Sequence, residues 1–283
     1  MIRFWESKNI WNFIVMAGVS AMLYSCSSET ATPEIQKTFP SIESFKEIKV
    51  DTTITLFASY AKPDCHLQLK FQIPSSASSK KSINAVNSLI GQLTQEGSYL
   101  NESNDLDEMV RQYTKTYIVN YLEEGNDAIA NYGNDMEAAA NWMSYEENCE
   151  GSVLYNDYGI FSYSVKLYTY TGGAHGNSSN CVGTINLNNN KTITLESLFD
   201  QDNKEIIKGE ILEILVQEHQ LLNDEIEITE NFYISDKGIT FVYDEFEIAS
   251  YSDGEISVTL SWDKIGPMLL SKSSITGNPI IEL

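Results

Sequence analysis

Alternating apolar and polar residues define the first elements along the chain. From Glu47 to Tyr60, and again from His66 to Ile73, nearly every second residue is apolar, which is the period of a half-buried strand. Pro63 lies in the short segment between the two runs and interrupts strand pairing. The pattern therefore predicts a β-hairpin.

Two helical patterns follow the hairpin. The first has an apolar face at helical spacing, formed by Ile83, Val86, Leu89, Ile90 and Leu93. The second has a face formed by Leu106, Val110, Tyr113, Tyr117 and Tyr121, with Asn104 and Asp107 suited to its N-terminal cap. The tyrosines suit either a platform that stacks on sugars or a buried face, and their spacing favours the buried face. Residues 126–148 read either as a continuation of this helix or as a long excursion.

The C-terminal half returns to strands. Phe161 to Leu167 alternate up to a glycine-rich loop, and a hairpin across three asparagines joins 182–187 to 191–195. Asp202 and Glu205 have the spacing of a capping box at the start of a third helix. Apolar runs predict strands at 231–235, 239–243 and 256–260, with Gly238 at positive φ in the first turn, and a closing helix or turn at 262–270.

Strands and single helices alternate here without the rhythm of a parallel βαβ fold. We therefore expect an α+β protein of two associated subdomains, each an antiparallel sheet packed against one or two helices. The expected subdomains are residues 42–148, a hairpin with helices, and residues 149–283, a second α+β unit.

The N-terminus has the layout of a secretory signal. Arg3 and Lys8 precede a short apolar stretch, and Leu23 and Ser25 lead to Cys26 as in the lipobox of bacterial lipoproteins. We expect cleavage after residue 25, lipidation of Cys26 and a polar tether over residues 26–41. This places the protein in the cell envelope, lipid-anchored, with the outer membrane favoured and the periplasmic or the outer face left open. An uncleaved anchor and plain secretion are the alternatives.

Charge limits the choice of partner. Without residues 1–25 the chain keeps 16 Lys and Arg against 39 Asp and Glu, a net charge of −23. Nucleic acid is excluded as a partner for such a surface, whereas a basic protein would be attracted to it. The same charge also serves solubility alone.

Three cysteines remain once Cys26 is assigned to lipid. Cys65, Cys149 and Cys181 lie in an expected oxidising compartment and allow one disulfide and one free thiol, with the pairing open. None of them has the close spacing of a structural zinc site, and the sequence indicates no metal or other cofactor.

The candidate functional residues lie in two segments. The first is the glycine-rich loop, which offers Tyr170, Gly172, Gly173, His175 and Asn177 as ligand contacts. The second is the acidic and aromatic segment from 243 to 248, which offers Tyr243 and Glu245. Both also have structural interpretations, as a tight turn stapled by His175 and as an edge segment with solvated charges.

An enzymatic role depends on His175, which could act as a general base or a metal ligand. The sequence has no closely spaced histidines of the metalloprotease kind. It also has no G-x-S-x-G motif that would place a serine as a nucleophile. Carboxylates are too abundant for any pair to be singled out. No catalytic residue is therefore assigned.

Three stretches carry a family resemblance: YTYTGGAHGN, TINLNNNKTITLESLF and NFYISDKGITFVYDEFEIASYSDGEISVTLSWDKI. They resemble the domain of unknown function 3298, found in the lysozyme-responsive anti-sigma factor RsiV and in exported polysaccharide deacetylases of the PdaC type, where a smaller DUF4163-like subdomain precedes it. The resemblance implies an extracytoplasmic module that binds lysozyme. The segments that carry anti-sigma or deacetylase activity in those proteins are not expected here.

Taken together, the sequence favours a non-enzymatic binding module of the cell envelope, with a lysozyme-like hydrolase or peptidoglycan as partner. The alternative is an envelope glycan hydrolase or deacetylase that uses His175 with unidentified carboxylates.

Overall fold

A long hairpin and two helices form the first half of the fold. Strand β1, Ile42–Thr55, pairs antiparallel with β2, Asp64–Ala77. Helices α1, Lys80–Gln95, and α2, Leu106–Tyr132, follow. Asp105 caps α2 by accepting the Glu108 amide at 3.1 Å, because its side chain stands one residue before the helix.

The computed structural model describes residues 38–56, 63–95, 105–132, 137, 142–223, 226–273, 275 and 277–282. The expected cap Asn104, the lipobox with Cys26 and most of the tether lie outside these residues. Residues from Thr38 onward form one compact unit.

Four further strands complete the first sheet. They are β3, Tyr145–Asp157, β4, Ile160–Tyr170, β5, Asn177–Asn186, and β6, Lys191–Thr192, and the strand order is β1-β2-β3-β4-β5-β6. Strands β2 and β3 run parallel because α1 and α2 carry the chain back between them. The other neighbouring pairs of this sheet are antiparallel.

Strand β3 was not predicted, and its buried face explains why. Glu147, Cys149 and Gly151 point to the core at alternate positions. A carboxyl, a thiol and a hydrogen break the apolar alternation on which a sequence pattern depends. The expected subdomain boundary after Asn148 falls inside this strand.

The second sheet has the order β7-β8-β9 and is flanked by helices. Its elements are α3, Leu195–Leu198, α4, Gln201–Glu218, β7, Phe232–Ser235, β8, Gly238–Tyr243, β9, Ile256–Ser261, and α5, Trp262–Ile265. The prediction of Asp202 as the helix cap was wrong: Asp200 accepts the Asn203 amide at 2.9 Å, so α4 begins two residues earlier. Thr194 starts α3 and so ends the predicted strand 191–195 at Thr192.

Two hydrophobic cores confirm the prediction of an α+β fold with two subdomains. One lies between the six-stranded sheet and α1 and α2, and its largest members include Phe71, Ile90, Phe161 and Tyr163. The other packs α4 against the three-stranded sheet and includes Ile207, Ile211, Phe241 and Trp262. The tyrosine face of α2 turns inward, as its spacing indicated.

The two sheets meet through buried hydroxyl groups. Ser162 on β4 donates to the Ile234 carbonyl at 2.6 Å, and Thr184 on β5 accepts the Ile234 amide at 3.0 Å. The two hydroxyls are 2.8 Å apart. Side chains of the large sheet thus bond the backbone of β7, which satisfies polar groups that would otherwise be buried without partners.

The outer edge of β5 is capped by side chains. The Asn180 amide donates to Asp244 Oδ1 and the Val182 amide to Asn231 Oδ1, each at 2.7 Å, and the Ser178 amide donates to the Glu245 carboxylate. Asn231 also donates from Nδ2 to the Asn180 carbonyl at 2.8 Å. Because these are the alternate amides that face outward, the caps occupy bonds that another strand would otherwise use.

The start of the fold is held at the turn between β3 and β4. Asn156 forms two backbone bonds with Ile42, accepting its amide at 3.1 Å and donating to its carbonyl at 2.7 Å. Phe39 packs edge-on against Tyr158 with ring centroids 5.7 Å apart. The chain therefore enters the fold at this end of β4.

Cys65, Cys149 and Cys181 form no disulfide with one another, so the disulfide that the sequence allowed is absent among them. Cys149 and Cys181 lie on β3 and β5 with β4 between them. Two strand spacings separate the backbones by about 9.6 Å, beyond the reach of a disulfide. Cys65 pairs with Tyr145, four residues along β3 from Cys149.

We expect Asn231→Ala to lower the free energy of unfolding by about 2–3 kcal/mol, because it leaves the Val182 amide and two carbonyls without their partners. Urea denaturation measures the change. Asn189→Ala, which removes one exposed bond to the Lys191 amide, is the matched control and should cost less than about 1 kcal/mol. Equal losses in the two variants would contradict the capping role of Asn231.

Candidate functional site

The glycine-rich loop joins β4 to β5. Gly172 and Gly173 have φ values of 88° and 101°, in the left-handed region that glycine adopts without strain. The Tyr170 hydroxyl donates to the Gly173 carbonyl at 2.9 Å and closes the turn. A Cβ at Gly172 would lie 2.8 Å from the Trp142 carbonyl oxygen, so this glycine also permits a close backbone approach.

His175 is exposed at the tip of the loop, and its closest ring partner is Tyr251. The ring centroids are 4.7 Å apart, and Nδ1 of His175 lies 3.1 Å from the Gly176 carbonyl. The Tyr251 hydroxyl donates to the same carbonyl at 3.2 Å. Within the described ranges, the histidine–carboxylate pairs are His66–Asp51 and His219–Asp253. His175 therefore has an aromatic neighbour where a general base would have a carboxylate.

Phe246 extends this arrangement into solvent. Its side chain is 59% exposed, and its ring lies 5.7 Å from that of Tyr251. Its φ of 66° is rare for a bulky residue. We call His175, Phe246 and Tyr251 the aromatic patch. A phenylalanine so exposed buries little apolar surface within its own chain.

A cleft of about 390 Å³ lies beside the aromatic patch. Its charged walls are Glu150, Lys166, Asp244, Glu245 and Glu255, and we call it the acidic cleft. Tyr168 also lines it, and burial together with the nearby Glu146 carboxylate raises the pKa of this tyrosine.

The carboxylates of the cleft differ in the groups that they bind. Asp244 and Glu245 cap β5, whereas Glu150 and Glu255 form exposed ion pairs with Lys70 at 2.9 Å and with Lys166 at 3.2 Å. Exposed pairs of this kind contribute at most about 1 kcal/mol and exchange readily. Glu150 and Glu255 are therefore the carboxylates available to a cationic partner.

Most of the predicted ligand contacts come together around the loop. Tyr170, Gly172, Gly173 and His175 belong to it, and Asn177 is exposed at the first position of β5. Glu245 lies in the acidic cleft, where its carboxylate caps the Ser178 amide.

The structure contradicts the prediction of Tyr243 as a ligand contact. It is 1% exposed at the end of β8, and its hydroxyl donates to the Glu227 carbonyl at 3.2 Å. The turn after β8 reverses the chain, so Phe246 and not Tyr243 reaches solvent. The sequence signal was present, since Phe246 belongs to the same acidic and aromatic segment, but its direction depends on the turn.

Tyr251, Lys166 and Glu255 were also missed. A lone tyrosine before the Ser252, Asp253, Gly254 turn was the available signal for the first of them. The other two come to the site through the pairing of β4 and the position of β9, which no local pattern reports.

Two negative findings concern the described residues alone. No group of three or more His, Cys, Asp or Glu side chains is arranged there to hold a metal ion. Nor does any helix in the described part of the chain have the length and apolar character needed to cross a membrane.

An α+β module of two sheets, with an aromatic patch beside an acidic cleft, is the class that this geometry defines. The chain belongs to the family described as Deacetylase PdaC, whose model matches residues 26–178, more than half of the sequence. The model described as Protein of unknown function (DUF3298) matches residues 192–263. The glycine-rich loop falls at the end of the first match, and the Phe246 turn lies in the second.

Two solved structures of DUF3298 family proteins have a similar fold. The chain is similar to a crystal structure of a DUF3298 family member from Bacteroides fragilis, with 27% identity, 84% of this chain and 96% of the other covered, and a TM-score of 0.73. It shares its fold with a DUF3298 family protein from Pseudomonas aeruginosa, at 11% identity, 82% and 97% coverage and a TM-score of 0.55. No curated protein matches the sequence.

We expect Gly172→Ala to destabilise the protein more than Gly173→Ala. Both substitutions place a Cβ in the left-handed region, at a cost of about 1–2 kcal/mol. A Cβ at Gly172 would in addition press on the Trp142 backbone, whereas the space around Gly173 is open. Thermal unfolding of the two variants measures the difference, and the ranking is wrong if Gly173→Ala unfolds first.

Proposed function

We propose that this protein is a non-enzymatic binding module and that its partner is a basic protein of the lysozyme-like hydrolase class. The observation that carries the proposal is the exposed aromatic patch beside the acidic cleft. The family resemblance to lysozyme-binding modules supports the same partner.

The aromatic patch has the composition of a binding hot spot. Phenylalanine and tyrosine supply large contact areas with few rotatable bonds, and such residues carry most of the energy of many interfaces. Phe246, which is 59% exposed against 36% for Tyr251, would enter a depression on the partner. Burying its side chain would contribute about 2 kcal/mol.

The acidic cleft suits a cationic partner. Glu150 and Glu255 exchange their internal lysines at little cost, and the net charge of the chain attracts a basic protein over longer distances. Electrostatic complementarity of this kind raises the association rate and excludes acidic partners. Peptidoglycan carries carboxylates of its own, which the cleft would repel, so the basic protein is favoured over the glycan.

A deacetylase or glycan hydrolase is the second class of function, and the family description names a deacetylase. His175 would be its general base. The ring contact with Tyr251 and the bond to Gly176 support a role in shaping the loop instead. Turnover of cell-wall fragments that depends on His175 would favour the enzyme.

The cell envelope is the proposed location, with a membrane anchor formed by lipid on Cys26 and the polar residues up to 41 as its tether. Labelling cells with a fatty acid checks this directly. We expect the wild-type protein to incorporate the label and Cys26→Ala to lose it. Equal labelling of the two would refute the anchor.

The binding proposal makes a quantitative prediction for the purified protein and hen lysozyme. We expect Phe246→Ala to weaken binding about thirtyfold, the loss that accompanies a hot spot of about 2 kcal/mol. Added salt should weaken the wild-type complex because the charges on both proteins are exposed. Isothermal titration calorimetry measures both effects.

Val216→Ala is the matched control, since Val216 is 57% exposed on α4, and it should leave the affinity unchanged. A wild-type protein that does not bind lysozyme, or an equal loss in both variants, would overturn the proposed function. A parallel assay for hydrolysis or deacetylation of cell-wall fragments tests the enzymatic alternative.

A further inference from the structure

Three tyrosines fasten the middle of α2 to the strands beneath it. Tyr113, Tyr117 and Tyr121 follow one another at four-residue intervals, so their side chains share one face of the helix. The Tyr113 hydroxyl donates to Glu147 on β3, and the Tyr121 hydroxyl donates to the Met143 carbonyl at 2.9 Å. Between them, Cys65 Sγ lies 3.5 Å from the Tyr117 hydroxyl.

Glu147 is the unusual member of this contact. Its side chain is 5% exposed and lines a cavity of about 10 Å³, which has room for about one water. Six of the other lining residues are apolar: Leu69, Phe71, Leu93, Val110, Val165 and Leu167. A carboxyl group in such surroundings is costly to ionise.

The groups that face Glu147 are tyrosines and cysteines, which carry no positive charge in any protonation state. Tyr113 and Tyr117 face it from α2, Cys65 from β2, Cys149 from its own strand and Cys181 from β5. Thr94 is the polar contribution of α1, and β4 contributes only apolar side chains. Among the described residues that line the cavity there is no lysine, arginine or histidine. An ionised Glu147 would therefore lack a compensating cation.

Protonation resolves this conflict. Burial raises the pKa of Glu147 to about 7, against the opposing effect of the Tyr113 hydrogen bond. Burial and the Glu147 charge also raise the pKa of Tyr113, which keeps its proton as the donor. Below neutral pH the folded protein thus holds a neutral acid that the cavity tolerates.

We propose that Glu147 is a pH-sensitive clamp beneath α2: the helix stays on the sheet while Glu147 is protonated, and it is released when Glu147 ionises, because the cavity then holds a charge among apolar side chains and without a cation. Its direction follows from linkage. Between the ordinary glutamate pKa of 4.5 and the folded value near 7, the folded state binds more protons than the unfolded state. The clamp is therefore intact at the acidic end of this window and is lost as pH rises through about 7.

Release of α2 would uncover thiols that the fold now hides. Cys65 and Cys149 are buried, the first beside Tyr117 and the second on the wall of the Glu147 cavity. Their reaction with a disulfide reagent such as DTNB reports the opening of the helix. Peptide mapping by mass spectrometry assigns the label to each cysteine in the full chain.

The experiment compares labelling rates of the wild type and Glu147→Gln from pH 6 to pH 8.5. Both proteins contain the same thiols, so the ratio of their rates removes the ordinary rise in thiolate with pH. We expect the ratio of wild type to variant to increase up to about tenfold across this range and to level off above about pH 8, because the folded state binds the extra proton only between the ordinary glutamate pKa of 4.5 and the folded value of about 7. Glu146→Gln, on the same strand but facing solvent, should behave as wild type.

A ratio that stays constant with pH, which means that Glu147→Gln responds to pH as the wild type does, would overturn the proposal. If the glutamine variant fails to fold, Glu147→Leu fills the same space without a titratable group and takes its place. A rise in labelling confined to Cys181, with Cys65 and Cys149 still protected, would also contradict release of α2.

Discussion

The capped edge of β5 is the interaction on which the rest of this structure depends. Asn231, Asp244 and Glu245 bond three successive outward amides of the large sheet, and all three belong to the segments that flank β7 and β8. These bonds therefore join the two sheets and end strand pairing at the same time. They also fix the turn that carries Phe246, so the aromatic patch owes its position to a structural bond.

Side chains also bond backbone groups where the two sheets meet in the interior. Ser162 and Thr184 supply hydroxyls to both polar groups of Ile234, so β7 is held without a continuous ladder. A misplaced hydroxyl there would leave a buried amide or carbonyl unpaired, which costs about 1–3 kcal/mol. Polar bonding thus specifies how the two cores are joined, while apolar burial stabilises each core.

Local patterns predicted the elements whose buried faces are apolar. The hairpin, the first two helices and the strands around Gly238 belong to this group, and so does the α+β class. Strand β3 escaped detection because its core face carries Glu147, Cys149 and Gly151. Tyr243 was predicted as a ligand contact, but Phe246 is the exposed ring of that segment, because the turn between the two residues decides which ring faces water. The sequence allowed one disulfide among the three cysteines. Only the order of the strands excludes it, and composition carries no information on which strands are neighbours.

The two hydrogen bonds between Asn156 and the Ile42 backbone fix the end of β4 at which the described chain begins. They place the entry of the chain at one end of β4, and the glycine-rich loop follows the other end, ten residues and about 33 Å away. Within the described residues, the length of β4 therefore separates Phe39, which packs on Tyr158, from the glycine-rich loop that carries His175 of the aromatic patch. One strand thus sets the distance between the first described residues and the exposed rings of the domain.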